Sequence, residues 1–221
     1  MKWPTYMQAE PHRTSFYPED AESVPAFVPI LTQGVEGIGN LPSPVTVASG
    51  TELIQQGRTV ASVYLVRRGL VKLVYLSESG EEITLGLRSV GWWGGAVAAM
   101  LDSFSACSVQ AVGECEVIRI SGRDFRERLK SNPSMMGHFL KALCNENASQ
   151  TEAQARVMSG TAAERLTIFM RERQKKNPRW QTIDPLPMLK QMELAQLLSI
   201  TPEHLSRLLS RMRSEQRKQP A

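Results

Sequence analysis

The chain has 221 residues and a hydrophobic content of 42%, which allows one large domain or two modest domains with real cores. No run approaches the ~20 apolar residues of a membrane span, and the polar sequence after Met1 lacks the apolar segment of a signal peptide, so a cytoplasmic location is expected. The net charge of +4 is unevenly distributed: residues 1–150 hold 13 Lys/Arg and 15 Asp/Glu, whereas residues 151–221 hold 13 Lys/Arg and 7 Asp/Glu. The basic C-terminal part predicts a polyanion-binding module or, alternatively, a solvated basic face.

The first 40 residues show little periodicity and are repeatedly interrupted by proline. This pattern predicts an irregular N-terminal arm with one short helix near residues 27–31. The interrupting residues are Pro4, Pro11, Pro18, Pro25 and Pro29.

Short apolar runs separated by glycine-containing turns occupy residues 45–120. Many short strands at near-regular spacing are typical of a β-sandwich or barrel. A hairpin turn is predicted at residues 77–80, and breaks between strands are predicted at Gly69 and Gly113. The predicted strands are 45–47, 53–54, 63–66, 70–76, 83–85, 109–112 and 116–120.

A helical period follows. Ser121, with Asp124 three residues later, predicts the N-cap of a helix that carries Phe125 and Leu129 on one face. After Pro133 a long helix is predicted over about 134–158, which at 1.5 Å per residue is longer than one small domain needs. It is interpreted as a dimer seam or, alternatively, as a core helix of one subunit. Its apolar residues are expected to form one stripe: Met136, Phe139, Leu140, Leu143 and Cys144.

A domain boundary is expected at Gly160, because the capping box Thr161-x-x-Glu164 directly follows it and precedes another apolar helical pattern. Residues 177–187 form a proline-bounded loop, for which a β-hairpin is one interpretation.

Residues 191–212 predict two short helices joined by a tight turn. The first helix covers 191–198, the turn is Ser199-Ile200, and Thr201 and Pro202 are expected at the N-cap and first position of the second helix. Ser199 stands where such turns usually carry glycine. The inward residues of the two helices are Leu194, Ala195, Leu197, Leu198, Leu205, Leu208, Leu209 and Met212.

The outward face of the second helix matches DNA chemically. Arg207 can donate two hydrogen bonds to guanine, Glu203 can accept one from cytosine, and the helix N-terminus at Thr201 can bind a phosphate. An ordinary helical hairpin with a solvated charged face is the alternative. The candidate DNA-binding residues are Lys190, Gln191, Thr201, Glu203, His204, Ser206, Arg207 and Arg211.

This order of parts resembles the Crp/Fnr superfamily of bacterial transcription regulators over about residues 45–213. The most specific stretches are Gly57 through Tyr64-Leu65-Val66-Arg67-Arg68-Gly69-Leu70-Val71-Lys72-Leu73, then Gly80-Glu81-Glu82-Ile83-Thr84-Leu85, and Leu194-Ala195 through Ser206-Arg207-Leu208-Leu209.

The resemblance implies an α+β chain in four parts. These are an N-terminal arm (1–40), a cyclic-nucleotide-binding-like, jelly-roll-like β-roll sensor domain (41–132), a dimerisation helix (133–159) and a helix-turn-helix DNA-binding domain (160–221). The pattern Glu203-x-x-Ser206-Arg207 resembles the recognition helix of Fnr-type members, and this implies a TTGA-like half-site. It is less similar to the recognition helix of cyclic-AMP-type members, which has an arginine where this chain has Pro202.

The sequence departs from the family at the ligand pocket. Where the family carries a Gly-Glu pair for the ribose and an Arg-Ser/Thr pair for the phosphate, this chain has Gly94-Gly95 and Ser105-Ala106. A buried phosphate without a cationic partner is costly, so cyclic AMP is not expected as effector. The candidate pocket residues, which would hold an apolar ligand or none, are Trp92, Trp93, Gly94, Gly95, Ser105 and Ala106.

The sequence also departs at the wing. The family continues into a two-stranded wing after the recognition helix, whereas eight residues follow Arg213 here, so the wing is expected to be missing or vestigial. The basic residues that would then supply phosphate contacts are Arg211, Arg213, Arg217 and Lys218.

No cofactor or metal is predicted. Cys107, Cys115 and Cys144 cannot supply the four thiolates of an iron–sulfur cluster and are expected to be reduced, either as small buried hydrophobes or, for Cys107 and Cys144, as a thiol switch. The histidines show no metal-ligand spacing, although His12 leaves haem ligation open as an alternative. They are His12, His138 and His204.

These observations favour a homodimeric, sequence-specific DNA-binding transcription regulator that recognises a palindromic TTGA-like site without cyclic AMP control. Its expected partners are double-stranded DNA, a second copy of the chain and, if it activates, RNA polymerase, with no membrane contact. The alternative is a small-molecule-binding regulatory module whose C-terminal helices contact protein. An enzyme is not expected, since the sequence has no P-loop, GxSxG or HExxH motif.

Overall fold

A computed structural model describes residues 41–174 and 188–216 of the chain. The expected N-terminal arm with its short helix, the proline-bounded loop 177–187 and the basic tail after residue 216 lie outside the described residues. The predictions of a hairpin in that loop and of a missing wing therefore stay predictions.

The first part of the chain is an antiparallel sheet rolled on itself. The strand order is β1, β6, β3, β4, with β2 also paired to β6 and β5 also paired to β3. The predicted hairpin turn joins β3 to β4, with Gly80 in the left-handed region at φ 83°. The strands are β1 (Val45–Val47), β2 (Glu52–Ile54), β3 (Ser62–Leu76), β4 (Glu82–Arg88), β5 (Trp93–Gly94) and β6 (Ser108–Ser121).

The two longest strands bend at a glycine instead of ending there. β3 continues through Gly69 (φ 99°) and β6 through Gly113 (φ 78°), and their pairing register shifts between Val66 and Leu70. Both glycines adopt the left-handed conformation that other residues rarely take, and a Cβ at Gly69 would lie 2.6 Å from Cys115 Sγ. The predicted strand breaks were therefore wrong, since each glycine lies in a bulge that carries one strand across both halves of the roll.

Each half of the roll has its own core. One cluster packs the sheet against α2 and α3 and includes Val63, Leu65, Trp93, Ile118, Ile120, Phe125, Leu129 and Phe139. The other cluster lies inside the roll and includes Val66, Val71, Leu73, Val109, Ala111, Cys115 and Val117. The helices are α1 (Ala96–Met100), α2 (Gly122–Ser131), α3 (Pro133–Ser159), α4 (Ala162–Gln174), α5 (Gln191–Leu197) and α6 (Pro202–Gln216).

The helix starts follow the predicted capping residues. Ser121 Oγ accepts a hydrogen bond from the Asp124 amide at 3.0 Å at the start of α2. At the start of α4 the Thr161 amide donates to Glu164 Oε2 at 2.7 Å, and the Glu164 amide donates to Thr161 Oγ1 at 3.2 Å. Both predicted caps are confirmed. The short helix α1 was not predicted from the sequence.

The long helix α3 runs from Pro133 to Ser159, and the residues of its predicted apolar stripe differ in exposure. Phe139 is buried against the roll, whereas Met136 and Leu140 are 38% and 58% exposed and Cys144 is exposed. The residues of the predicted stripe therefore span a side packed on the roll and a side open to solvent, and the two interpretations of the helix, a dimer seam and a core helix, stay predictions. Burial as a small hydrophobe therefore does not describe Cys144.

A third core joins the C-terminal helices. It consists of Leu166, Phe169, Leu194, Ala195, Leu198 and Leu205, which come from α4, α5, the turn and α6. None of the helices in the described ranges is long and apolar enough to cross a membrane.

Candidate functional site

The N-terminus of α6 is capped by a hydroxyl. Thr201 Oγ1 accepts a hydrogen bond from the His204 amide at 3.2 Å, and the Thr201 carbonyl accepts one from the Leu205 amide at 3.0 Å. Pro202 opens the helix, where its missing N–H removes no intrahelical bond. The amide end of α6 is therefore ordered and carries a positive helix-dipole charge toward solvent.

Glu203 is ionised at this helix end. A hydrogen bond from its own backbone N–H, a second from the Thr201 hydroxyl and the nearby charge of Arg207 together hold the pKa of Glu203 below its usual value. At neutral pH its carboxylate can only accept hydrogen bonds, and a cytosine amino group needs such an acceptor.

The two sides of α6 differ as the sequence predicts. Leu205 is fully buried in the third core, and Leu208, Leu209 and Met212 pack against it half-buried. His204, a candidate DNA-binding residue, is half-buried. The candidates that the structure brings together on the exposed side of α6 and its cap are Thr201, Glu203, Ser206, Arg207 and Arg211. Ser210 lies on the same side.

The turn before α6 places a serine in a glycine conformation. Ser199 has φ 53°, in the left-handed region, and its amide donates to the Gln196 carbonyl at 2.9 Å. The Ile200 amide donates to the Ala195 carbonyl at 3.0 Å, which closes the turn. A side chain in this region costs roughly 1–2 kcal/mol, so the turn depends on the surrounding contacts to hold it.

Arg165 supplies one of those contacts and was not among the residues singled out from the sequence. It is 7% exposed, and its Nε donates to the Leu198 carbonyl at 2.8 Å while NH1 donates to the Gly160 carbonyl at 2.7 Å. NH2 reaches the Ser199 carbonyl at 3.4 Å. The side chain thus ties the C-terminal ends of α3 and α5 together, where the carbonyl dipoles favour a cation. No sequence signal marks it, because an arginine in a helix is usually solvated.

The helix pair α5–α6 also packs on the roll. Leu197, expected to pack within the helix pair, lies instead in a cluster with Leu70, Leu87 and Val112 of the sheet. Gln196 binds the outer edge of β4 with its side-chain amide: Oε1 accepts from the Thr84 amide at 2.8 Å. Its Nε2 donates to the Glu82 carbonyl at 2.9 Å.

A partly buried ion pair flanks this contact. Lys72 Nζ lies 2.5 Å from Glu193 Oε1, and Glu193 Oε2 accepts from the Lys190 amide at 2.7 Å. Burial raises the pKa of Glu193, but the hydrogen bonds from Lys72 and from the Lys190 amide and the charges of both lysines outweigh it, so the pKa lies below its usual value. The candidates Lys190 and Gln191 are exposed at the start of α5, before the α6 face in sequence.

A cavity of about 430 Å³ lies between the roll, α1 and α3. Five of the six candidate pocket residues line it: Trp92, Trp93, Gly95, Ser105 and Ala106. Gly94 does not line the cavity and pairs with Tyr64 in the sheet. Wall residues that the sequence did not single out for this site include Leu73, Phe104, Cys107, Phe139, Leu143 and Glu146.

A largely buried ion pair includes Glu146, one of the cavity's wall residues. Arg88 on β4 donates through Nε to both carboxylate oxygens of Glu146 on α3, at 2.8 and 3.0 Å, and its NH2 lies 2.5 Å from Glu146 Oε1. NH1 donates to the Leu87 carbonyl at 2.8 Å, and the space for it exists because residue 86 is glycine. The side chains are only 6% and 16% exposed, so each charge is neutralised by the other.

Comparisons with known proteins agree with this architecture. Residues 44–132 match the family model of the cyclic nucleotide-binding domain. No curated protein sequence matches the chain.

Three solved structures share the fold. CLP of Xanthomonas campestris, described as a c-di-GMP-responsive global regulator, is 16% identical with a TM-score of 0.64 over 78% of this chain and 86% of CLP. FixK2 of Bradyrhizobium japonicum is 17% identical with a TM-score of 0.62 over 78% and 85% of the two chains. A CRP-family transcriptional regulator of Thermus thermophilus is 18% identical with a TM-score of 0.62 over 80% and 88%. Residues 44–132 therefore resemble a cyclic nucleotide-binding domain, and the chain shares its overall fold with these three proteins.

Proposed function

We propose that the protein is a homodimeric, sequence-specific DNA-binding transcription regulator that reads a palindromic TTGA-like site with α6. The exposed face of α6 carries this proposal. It presents an ionised acceptor, Glu203, and a two-donor guanidinium, Arg207, one helical turn apart, beside the small Ser206.

The reading chemistry follows from these three side chains. Arg207 would donate to O6 and N7 of a guanine, and Glu203 would accept from the N4 amino group of a cytosine. Ser206 is short enough to let the helix lie deep in the major groove. The amide end of α6 and the cap residue Thr201 would hold a phosphate and so fix the register of the helix.

The open side of α3 supports dimerisation. Met136, Leu140, Leu143, Asn147 and Gln150 follow one another at alternating spacings of four and three residues, the heptad spacing of a two-helix seam. Met136 and Leu140 are exposed in the single chain although they are apolar. Asn147 in the middle of such a seam would fix its register at some cost in stability. A dimer presents two copies of α6 to one duplex.

The protein has no catalytic role in this proposal, and control does not pass through cyclic AMP. DNA as the partner requires a cytoplasmic location. If the regulator activates transcription, RNA polymerase is a further partner.

Selection from random duplexes with the purified full chain tests the proposal. The expected result is enrichment of two TTGA-like half-sites in inverted repeat, with centres about one helical turn (~34 Å) or a multiple apart. Affinity for the selected site should fall steeply with salt, by about 0.9 in log–log slope per phosphate contacted. Enrichment of a single half-site would contradict the dimer, and enrichment of no sequence would contradict sequence-specific reading.

A second function is supported by the contact between α5 and the roll. The α5 helix packs on the roll of its own chain through Leu197, and Met192 on the same helix is an apolar side chain that is 53% exposed. The chain would then be a small-molecule-binding regulatory module whose C-terminal helices contact another protein. Absence of duplex binding even at low salt would favour this function over the first.

A further inference from the structure

The cavity does not fit a cyclic nucleotide on its ribose side. The resemblance implies a glutamate at the position of Gly95, but this glycine has φ 78° and forms the N-cap of α1. A Cβ there would lie 2.7 Å from Val60 Cγ1 and 2.8 Å from Ile54 Cδ1. Glycine is therefore strongly favoured here, because a glutamate would be strained in this backbone conformation and would have to displace Val60 and Ile54.

The cavity does not fit a phosphate either. Ser105 and Ala106 stand where the family carries its phosphate-binding arginine, and the Ser105 hydroxyl donates to the Cys107 carbonyl at 2.7 Å. The guanidinium of Arg88 lies close by, but Glu146 already occupies it through three hydrogen-bond contacts. An anion would have to displace a carboxylate that is held on α3.

The remaining walls are uncharged and largely apolar. The rings of Trp92, Phe104 and Phe139 and the side chains of Leu73 and Val109 face the cavity. Burial, partly opposed by the charge of Arg88, raises the pKa of the Cys107 thiol, so this wall residue is neutral at physiological pH. Pockets for small ligands typically measure about 300–1,000 Å³, and this one, at about 430 Å³, is within that range.

We propose that this cavity binds an uncharged, largely apolar small molecule and no cyclic nucleotide. The inference rests on the proposed function, because the bound molecule would be the effector of that regulator. The ligand would contact α3 directly, since Phe139, Ala142 and Leu143 form one wall. Leu143 and Gln150 line the cavity and also belong to the heptad positions of α3, so an occupant would touch the residues that meet the partner helix.

Two fluorescent probes that differ by one sulfonate test the ligand class on the full-length protein. N-phenyl-1-naphthylamine is uncharged, and 8-anilinonaphthalene-1-sulfonate adds an anionic group to the same ring system. We expect the uncharged probe to bind saturably at one site per chain, at least about tenfold more tightly than the sulfonate, because the anion would enter without a free cation. Cyclic AMP should not displace it.

Matched variants place the probe in the cavity. Ala142→Phe on α3 and Ala98→Leu on α1 fill the space from two different elements, and each should weaken probe binding about tenfold or more. Ala155→Phe is the control, since Ala155 is exposed on the same helix and does not line the cavity. Two independent filling variants keep the test valid if one of them fails to fold.

The outcomes separate the ligand from the function. Tighter binding of the sulfonate, displacement by cyclic AMP, unchanged binding in both filling variants or no probe binding at all would each overturn the ligand class. Duplex selection by the same preparation is measured in parallel. Site-specific DNA binding without probe binding would support the proposed regulator and contradict only the proposed ligand class. Probe binding without DNA binding would support the ligand class and contradict the proposed regulator.

Discussion

The charged side chains beside the cavity and those on the exposed face of α6 differ in their exposure to solvent. Beside the cavity, Arg88 and Glu146 form an ion pair that is largely shielded from water, and most of the cavity wall is apolar. On α6, Glu203 and Arg207 lie in solvent, where a partner of complementary chemistry can reach them. The same residue types are therefore shielded from solvent in one region and accessible to a partner in the other, and their surroundings make the difference.

The largest expected effect comes from breaking the buried pair. Arg88→Leu leaves the Glu146 carboxylate buried without its cation and should lower the free energy of unfolding by about 3–5 kcal/mol. Urea denaturation of the purified protein measures it. The double variant Arg88→Leu/Glu146→Leu should recover most of the loss, because it removes both charges. Equal instability of the single and double variants would contradict this account of the pair.

Removing the cation that joins two helix ends should cost somewhat less. Arg165→Met leaves the carbonyls of Gly160 and Leu198 without their donors and should lower the free energy of unfolding by about 2–3 kcal/mol, with a matching loss of DNA binding. Thermal unfolding followed by circular dichroism measures it. Arg123→Met is the control, since Arg123 pairs with Glu127 in full solvent and should show no change. A loss of the same size in both variants would refute the positioning role of Arg165.

Substitutions on the exposed side of α6 should change DNA binding and leave the stability of the fold unchanged. Arg207→Ala should cost about 1–3 kcal/mol on the selected site and relax specificity at one base pair, while the melting temperature stays unchanged. Competition binding with single-base variants of the site measures it. Arg213→Ala, at another exposed position of α6, should instead weaken binding to all sequences and lower the salt slope by about one. Indistinguishable profiles for the two variants would remove Arg207 from base reading.

The ion pair between Lys72 and Glu193 is partly buried, so its exposure lies between that of the Arg88–Glu146 pair and that of the α6 face. Its contribution to the free energy of unfolding should depend on pH. Because the folded pKa of Glu193 is depressed, its contribution is present above the unfolded value of about 4.3 and is lost as the pH falls through the lower folded value. Lys72→Met should therefore be about 1 kcal/mol less stable than the parent at pH 7, and the difference should narrow below about pH 4. Urea denaturation of both proteins across this pH range tests the prediction. A stability difference that grows as the pH falls would contradict the lowered pKa of Glu193.

The smallest expected effect is an increase in stability. Ser199→Gly removes a side chain from the left-handed conformation and should raise the free energy of unfolding by about 0.5–1 kcal/mol. Ser210→Gly, in the middle of α6, should lower it by a similar amount, because glycine is unfavourable inside a helix. The same denaturation experiment reports both, and a loss in Ser199→Gly would show that its strain is compensated locally.

Local features of the fold could be predicted from the sequence. The caps at Ser121 and Thr161, the start of α6 at Pro202 and the inward side of α6 all depend on residues within one or two helical turns. The same is true of the hairpin turn at Gly80. Such patterns are readable because their partners are neighbours in the chain.

Long-range features were missed for the complementary reason. Arg88 and Glu146 are 58 residues apart, and Gln196 is 112 residues from Thr84. Nothing in either local sequence marks these residues as partners. The bulges at Gly69 and Gly113 were read as turns because a glycine in a strand pattern predicts either, and only the register of β3 with β6 decides between them.

The contact between Gln196 and β4 also has a consequence for the behaviour of the chain in concentrated solution. Among the described strands β4 pairs with β3 alone, so its outer edge carries backbone groups that another chain could pair with. Gln196 occupies two of them, the Thr84 amide and the Glu82 carbonyl, and Leu197 covers the adjacent apolar surface. The helix pair α5–α6 thus covers a strand edge that could otherwise pair with another chain, and we expect separation of α5 from β4 to make the roll more prone to aggregation.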